Sequence, residues 1–108
     1  MERKERRPRV SQQDRRQQVL ELALNMSRSS QYQTITVPEL AKRAGCERRV
    51  VYRALGSEGS KAETAREILA IAIEEYALTK GASDPGAMMV LTQMAAMGDR
   101  RAIAITKE

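Results

Sequence analysis

The sequence predicts an all-α protein of five helices with a helix-turn-helix at its centre. Three observations predict it. The apolar residues, 42% of the chain, are rich in Ala, Leu, Ile and Met, with three Tyr and neither Phe nor Trp. No stretch alternates apolar and polar residues for long enough to make a strand. Helix start and stop signals recur at short intervals along the chain. A chain of 108 residues is expected to form one small domain.

Residues 1–10, MERKERRPRV, are charged, contain Pro8 and have no apolar period. They are expected to form a flexible basic arm carrying Arg3, Lys4, Arg6, Arg7 and Arg9. Ser11 to Asp14 has capping-box spacing, and a helix from there to about Ser29 would turn Val19, Leu20, Ala23, Leu24 and Met26 inward. Thr36-Val37-Pro38-Glu39 is a stronger start. The Thr36 oxygen can accept from the Glu39 amide, the Glu39 carboxylate can reach back, and proline costs nothing in a first turn. That helix is short and should stop at Gly45 in a left-handed cap. Glu47 to Leu55 makes the next helix, ended by Gly56. Ser60 and Glu63 form a further capping box, opening the longest helix, to about Thr79. Asp84-Pro85 starts the fifth, running through Met97, and residues 99–108 read as a tail in which Ala102, Ile103 and Ile105 can pack. The organisation expected is a basic arm at 1–10, a helix-turn-helix region at 11–57 and a helical dimerisation region at 58–108.

Composition excludes several functions. The single Cys rules out an internal disulfide or a multi-cysteine metal site. The absence of His removes the usual general bases, nucleophilic triads and nearly all zinc sites. No catalytic constellation is present, and neither enzyme activity, cofactor nor metal is expected. No apolar run approaches the roughly 18–20 residues of a membrane span, and none follows the basic N-terminus as in a signal peptide. A cytoplasmic protein is expected. Charge is uneven: residues 1–53 carry thirteen basic and six acidic groups, and residues 54–108 six and eight. That division suits a polyanion partner for the first half, although a solvated surface of mixed charge is the plainer reading of charge alone.

The informative segment is 37–55. Two short helices meet at Ala44-Gly45-Cys46-Glu47. Ala41 must be small where the second helix crosses, and Gly45 supplies the positive φ of the turn. Leu40, Cys46, Val50, Val51, Ala54 and Leu55 would face inward, with Cys46 serving as a small buried hydrophobe. Glu47, Arg48, Arg49, Tyr52 and Arg53 are left facing out. Arginine pairs bidentately with guanine, and Tyr and Arg bind phosphate, so the second helix is a candidate reader of the major groove.

Residues 15–57 resemble the DNA-binding region of the tetracycline-repressor (TetR-like) family of transcriptional regulators. The likeness runs without a gap from Arg15-Arg16-Gln17-Gln18-Val19-Leu20-Glu21-Leu22-Ala23-Leu24 through Tyr32, Thr36-Val37, Leu40-Ala41, Ala44-Gly45 and Val51-Tyr52-Arg53 to Gly56-Ser57. It implies an all-α dimer on a near-palindromic operator. It also implies DNA contacts at Thr36 (phosphate), Arg48 and Arg49 (start of the recognition helix), Tyr52 (phosphate) and Arg53, with Lys61 as a phosphate-binding lysine. The family usually has a small residue where Arg49 stands and an aromatic pair where Ala54-Leu55 stand. The turn and the following helix are also similar to the lactose-repressor headpiece, which ranks second because the upstream helix fits only the first family. TetR-like regulators continue into a large effector-binding domain. About 50 residues follow the recognition helix here, too few to enclose a drug-sized cavity, so a small-molecule effector is not expected.

The second half is apolar nearly all round at Ile68 to Ile73 and Met-rich at 88–97. Beyond a core, these helices are expected to form a two-fold interface centred on Ile68, Ile71, Ile73, Met88, Leu91 and Met94. The function expected is a homodimeric, sequence-specific repressor that occludes a palindromic operator in double-stranded DNA. The alternatives are a plasmid- or phage-encoded accessory factor for maintenance, partition or transfer, and a protein-interaction adaptor.

Overall fold

The described residues form six helices, α1 (Gln12–Met26), α2 (Val37–Ala44), α3 (Arg48–Leu55), α4 (Ala62–Lys80), α5 (Pro85–Ala96) and α6 (Arg100–Thr106), with one 3-10 turn among them at Tyr32–Thr34. The computed structural model describes residues 11–107, and none of these lies in a strand. The basic arm, with Arg3, Lys4, Arg6, Arg7 and Arg9, falls outside the described residues. None of the described helices is long and apolar enough to cross a membrane.

Local chemistry sets most of the helix ends. The Ser11 hydroxyl accepts from the Asp14 amide at 3.0 Å, and the Asp84 carboxylate from the Ala87 amide at 2.9 Å. Thr36 accepts from the Glu39 amide at 3.4 Å, but among the described hydrogen bonds Glu39 does not return a bond to the Thr36 amide. Two expectations need correction. Ser60 does not cap α4. Its amide is tied back to the Ser57 carbonyl at 3.0 Å in a turn, so Lys61 takes the cap position without a side-chain bond. The tail is a sixth helix. Asp99 accepts from the amides of Arg101 at 2.9 Å and Ala102 at 3.3 Å, which satisfies donors that a helix start leaves free. Ala102 is fully buried, and Ile105 packs on the core, which anchors the helix.

α1 lies at the centre of the arrangement, in contact with α2 and α3 on one side and α4 and α5 on the other. One hydrophobic cluster therefore runs across residue 57, from Val19, Leu24, Leu40 and Val51 to Leu69, Ile73, Leu91 and Met94. The helix-turn-helix and the C-terminal helices share a single core. α1 and α5 meet at unusually close range. A Cβ placed on Gly86 would run into the Leu24 carbonyl oxygen, so only glycine fits the crossing.

Polar ties surround this core. Tyr32 is buried, its hydroxyl donates to Glu74 at 2.5 Å, and its amide donates to the Gln93 side chain at 2.9 Å. The Tyr76 hydroxyl donates to Glu21 at 2.5 Å, and Lys80 joins the same carboxylate at 3.0 Å. The Tyr76 bond, and then Lys80, hold the Glu21 carboxyl below its ordinary pKa of 4.5. A depressed carboxyl contributes stability that is present above the unfolded pKa and lost as pH falls through the folded one. Acidification below about pH 4.5 is therefore expected to loosen the α1–α4 contact. Urea midpoints at neutral pH and in acid check this. Glu21→Gln should lower the neutral midpoint and leave a smaller drop between the two.

Candidate nucleic-acid interface

α2 and α3 are joined by the short turn Gly45-Cys46-Glu47. Gly45 has φ 72° and ψ 33°, the left-handed conformation that an L side chain resists. The Cys46 amide donates to the Ala41 carbonyl at 3.0 Å and the Gly45 amide to the Lys42 carbonyl at 3.3 Å, which closes α2. A Cβ at position 45 would meet nothing within 4 Å, so the requirement for glycine is one of backbone angle and not of space. At the far end of α3 the Ser57 amide bonds the Tyr52 carbonyl at 2.9 Å, and the buried Ser57 hydroxyl reaches the same oxygen at 3.3 Å. Both ends of α3 are thereby set relative to α2 and the core.

The faces of α3 divide cleanly. Val51, Ala54 and Leu55 are buried, while Val50 and Cys46 are half-buried. Cys46 packs against the core cluster. Glu47, Arg48, Arg49 and Arg53 are exposed, and so is Thr36 at the start of α2. Arg49 Nε pairs with Glu47 at 2.9 Å and Arg53 with Glu58 at 3.2 Å, each pair more than half exposed. Such surface pairs are worth roughly 0–1 kcal/mol, so they cost little to break and leave both guanidinium groups available to an outside acceptor. Among the described residues Arg48 has no ion-pair partner. Glu47 thus stands as the internal counter-ion of Arg49.

Tyr52 is half-buried, with its ring against the core, and its hydroxyl has no hydrogen-bond partner among the described residues. A rigidly held ring with a free donor at its tip suits a phosphate oxygen. Lys61 is exposed at the start of α4. Two further cations on the motif were not singled out from sequence. Lys42 and Arg43 lie exposed in the last turn of α2. Their signal was the basic pair directly before Ala44-Gly45. Among the described residues no three His, Cys, Asp or Glu side chains gather in a way that could hold a metal ion.

The residues expected at a dimer interface separate into two groups. Ile73, Leu91 and Met94 are fully buried within the single chain and belong to its own core, so they present nothing to a partner. Ile71 is 53% exposed, Ile68 and Met88 are half-buried, and Met89, Met97 and Ile103 add exposed apolar surface. Apolar periodicity could not make this division, because Ile68 to Ile73 is apolar on every side.

Comparison with protein-family models, curated proteins and solved structures returned no match to this chain.

Proposed function

We propose that this chain is a sequence-specific regulator that binds double-stranded DNA as a homodimer and represses by occupying a palindromic operator. The observation that carries the proposal is the outward face of α3, where Arg48, Arg49 and Arg53 are exposed and Tyr52 is half-buried with its hydroxyl unpartnered among the described residues. The turn at Gly45 and the shared core hold that face rigid, which base reading requires. The TetR-like motif set in residues 15–57 supports the same reading. Thr36 and Lys61 are candidate phosphate contacts, and the arm supplies further cations. A dimer would present two recognition helices to successive major grooves about 34 Å apart. Occlusion needs only occupancy, without a cofactor or a bound effector.

Selection of bound sequences from a random DNA pool tests the proposal. The full chain is expected to enrich one two-fold symmetric motif, and no enrichment at physiological salt would sink the reading. In the same selection Arg49→Ala should relax preference at one base pair per half-site, by roughly 1–3 kcal/mol of discrimination. Tyr52→Phe should weaken all sequences alike.

A second expected result concerns the arm. Each phosphate neutralised adds about 0.9 to the slope of log affinity against log salt. Deleting residues 1–9 removes Arg3, Lys4, Arg6, Arg7 and Arg9 from each protomer. The slope should flatten by several units per dimer while the selected motif persists. Fluorescence anisotropy over a salt series measures it, and an unchanged slope would place the arm away from the DNA.

A further inference from the structure

We propose that two copies of this chain pair through reciprocal contacts, α4 of each protomer lying along α6 of its partner. This rests on the homodimer reading above and replaces the interface expected from sequence with a specific one. One face of α6 carries Arg100, Ile103, Ala104 and Lys107, all exposed and lining one shallow groove. An exposed stripe of α4 carries Glu67, Ile71 and Glu75. Each stripe is an apolar centre between two like charges, and the charges are opposite on the two helices. Spacing matches as well. At 1.5 Å per residue the two glutamates lie about 12 Å apart along α4 and the two cations about 10 Å apart along α6. An antiparallel or parallel docking therefore brings Ile71 over Ile103 and Ala104 with a carboxylate near a cation at each end.

Within one protomer the two stripes do not satisfy each other. The groove is lined by residues of α6 and its C-cap Lys107 alone. Among the described residues none of Glu67, Glu75, Arg100 and Lys107 has an ion-pair partner. Ile71 is 53% exposed and Ile103 38%. The start of α6 nevertheless lies near the Glu74–Glu75 part of α4. Arg101, at the start of α6, is held protonated first by Asp99, and also feels the carboxylates of Glu74 and Glu75 on α4. A two-fold contact must be self-complementary, which requires both halves of a matched pair on the same chain. This surface meets that condition, whereas a different protein docked on either stripe would leave the other uncovered. Desolvating Ile71 and Ile103 supplies the attraction, and the charges set orientation and exclude wrong partners.

Sedimentation equilibrium of the full chain without DNA, combined with charge reversal, tests this. Wild type is expected to be dimeric at micromolar concentration. The double variants Glu67→Lys/Glu75→Lys and Arg100→Glu/Lys107→Glu each set like charges against like, and each should dimerise about 100-fold more weakly. An equimolar mixture restores opposite charges at both contacts of a heterodimer, so mixing should recover wild-type-like association. That recovery also shows that both variants are folded. Either double variant remaining as dimeric as wild type would overturn the proposed contact, and so would a mixture that stays monomeric. A monomeric wild type would overturn the contact and the homodimer reading together. Because no DNA is present, failure of pairing is told apart from failure of operator binding, which the pool selection reads separately.

Discussion

Gly86→Ala is expected to destabilise the fold by about 2 kcal/mol, although alanine is the better helix former. The substitution gains at most about 1 kcal/mol of helix propensity in α5. Against this, the new methyl would overlap the Leu24 carbonyl oxygen and sit 2.7 Å from its carbon. Both are backbone atoms, so no side chain can rotate away, and α1 and α5 must separate. Forced separation of packed elements typically costs 1–3 kcal/mol, occasionally more. For a domain of this size the midpoint of thermal unfolding should fall by roughly 10 °C. Circular dichroism melting checks it. An alanine variant as stable as wild type would mean that the helices are not held at this distance. Because α1 also carries α2 and α3, operator affinity should fall with stability when measured near the shifted midpoint.

Leu91→Asp and Ile71→Asp are expected to behave in opposite ways, although both positions belong to apolar helical segments. Leu91 is fully buried in α5. Removing its side chain costs about 2–5 kcal/mol, and an unpaired carboxylate in the same place adds several more. Since small domains are stable by only about 5–15 kcal/mol, the variant should be largely unfolded at room temperature. Ile71 is more than half exposed, and aspartate there is solvated. That variant should keep the helical spectrum of wild type and lose self-association, because the new carboxylate falls between Glu67 and Glu75. Far-ultraviolet circular dichroism with sedimentation separates the two outcomes. A folded, monomeric Leu91→Asp chain would contradict the core assignment.

Features written in a few neighbouring residues were legible from sequence. The starts at Ser11, Thr36 and Asp84 and the turn at Gly45 each depend on one polar side chain or one backbone angle, and the structure has them at those positions. The division of α3 into a buried face and an arginine face was legible because Val50, Val51, Ala54 and Leu55 recur with helical spacing. Ser60 failed as a cap because a turn engages its amide with Ser57, and a motif match carries no knowledge of that competing bond. From sequence the helix at Arg100 reads as a tail. Its anchor is the tertiary burial of Ala102, and seven residues hold too little pattern to announce it. The exposed side of α4 could not be assigned, since six consecutive apolar residues leave the period silent about which of them meets solvent. Gly86 gave no signal, because the neighbour that requires it is a carbonyl more than 60 residues earlier.

The three tyrosines, in a chain without tryptophan, have an optical consequence. All near-ultraviolet absorption of tyrosine and tryptophan type, and all emission of that type, comes from Tyr32, Tyr52 and Tyr76. Two of these rings are chemically committed: Tyr32 to Glu74 and Tyr76 to Glu21. Tyr32 therefore reports the seam between the 3-10 turn and α4, and Tyr76 the seam between α1 and α4. Tyr52 alone looks outward from α3 with its hydroxyl uncommitted among the described residues. The protein thus carries an intrinsic chromophore at two of its internal seams and one on α3. Single Tyr→Phe replacements resolve the three spectrally, so the surroundings of α3 and integrity of the scaffold can be followed in one cuvette without any added label.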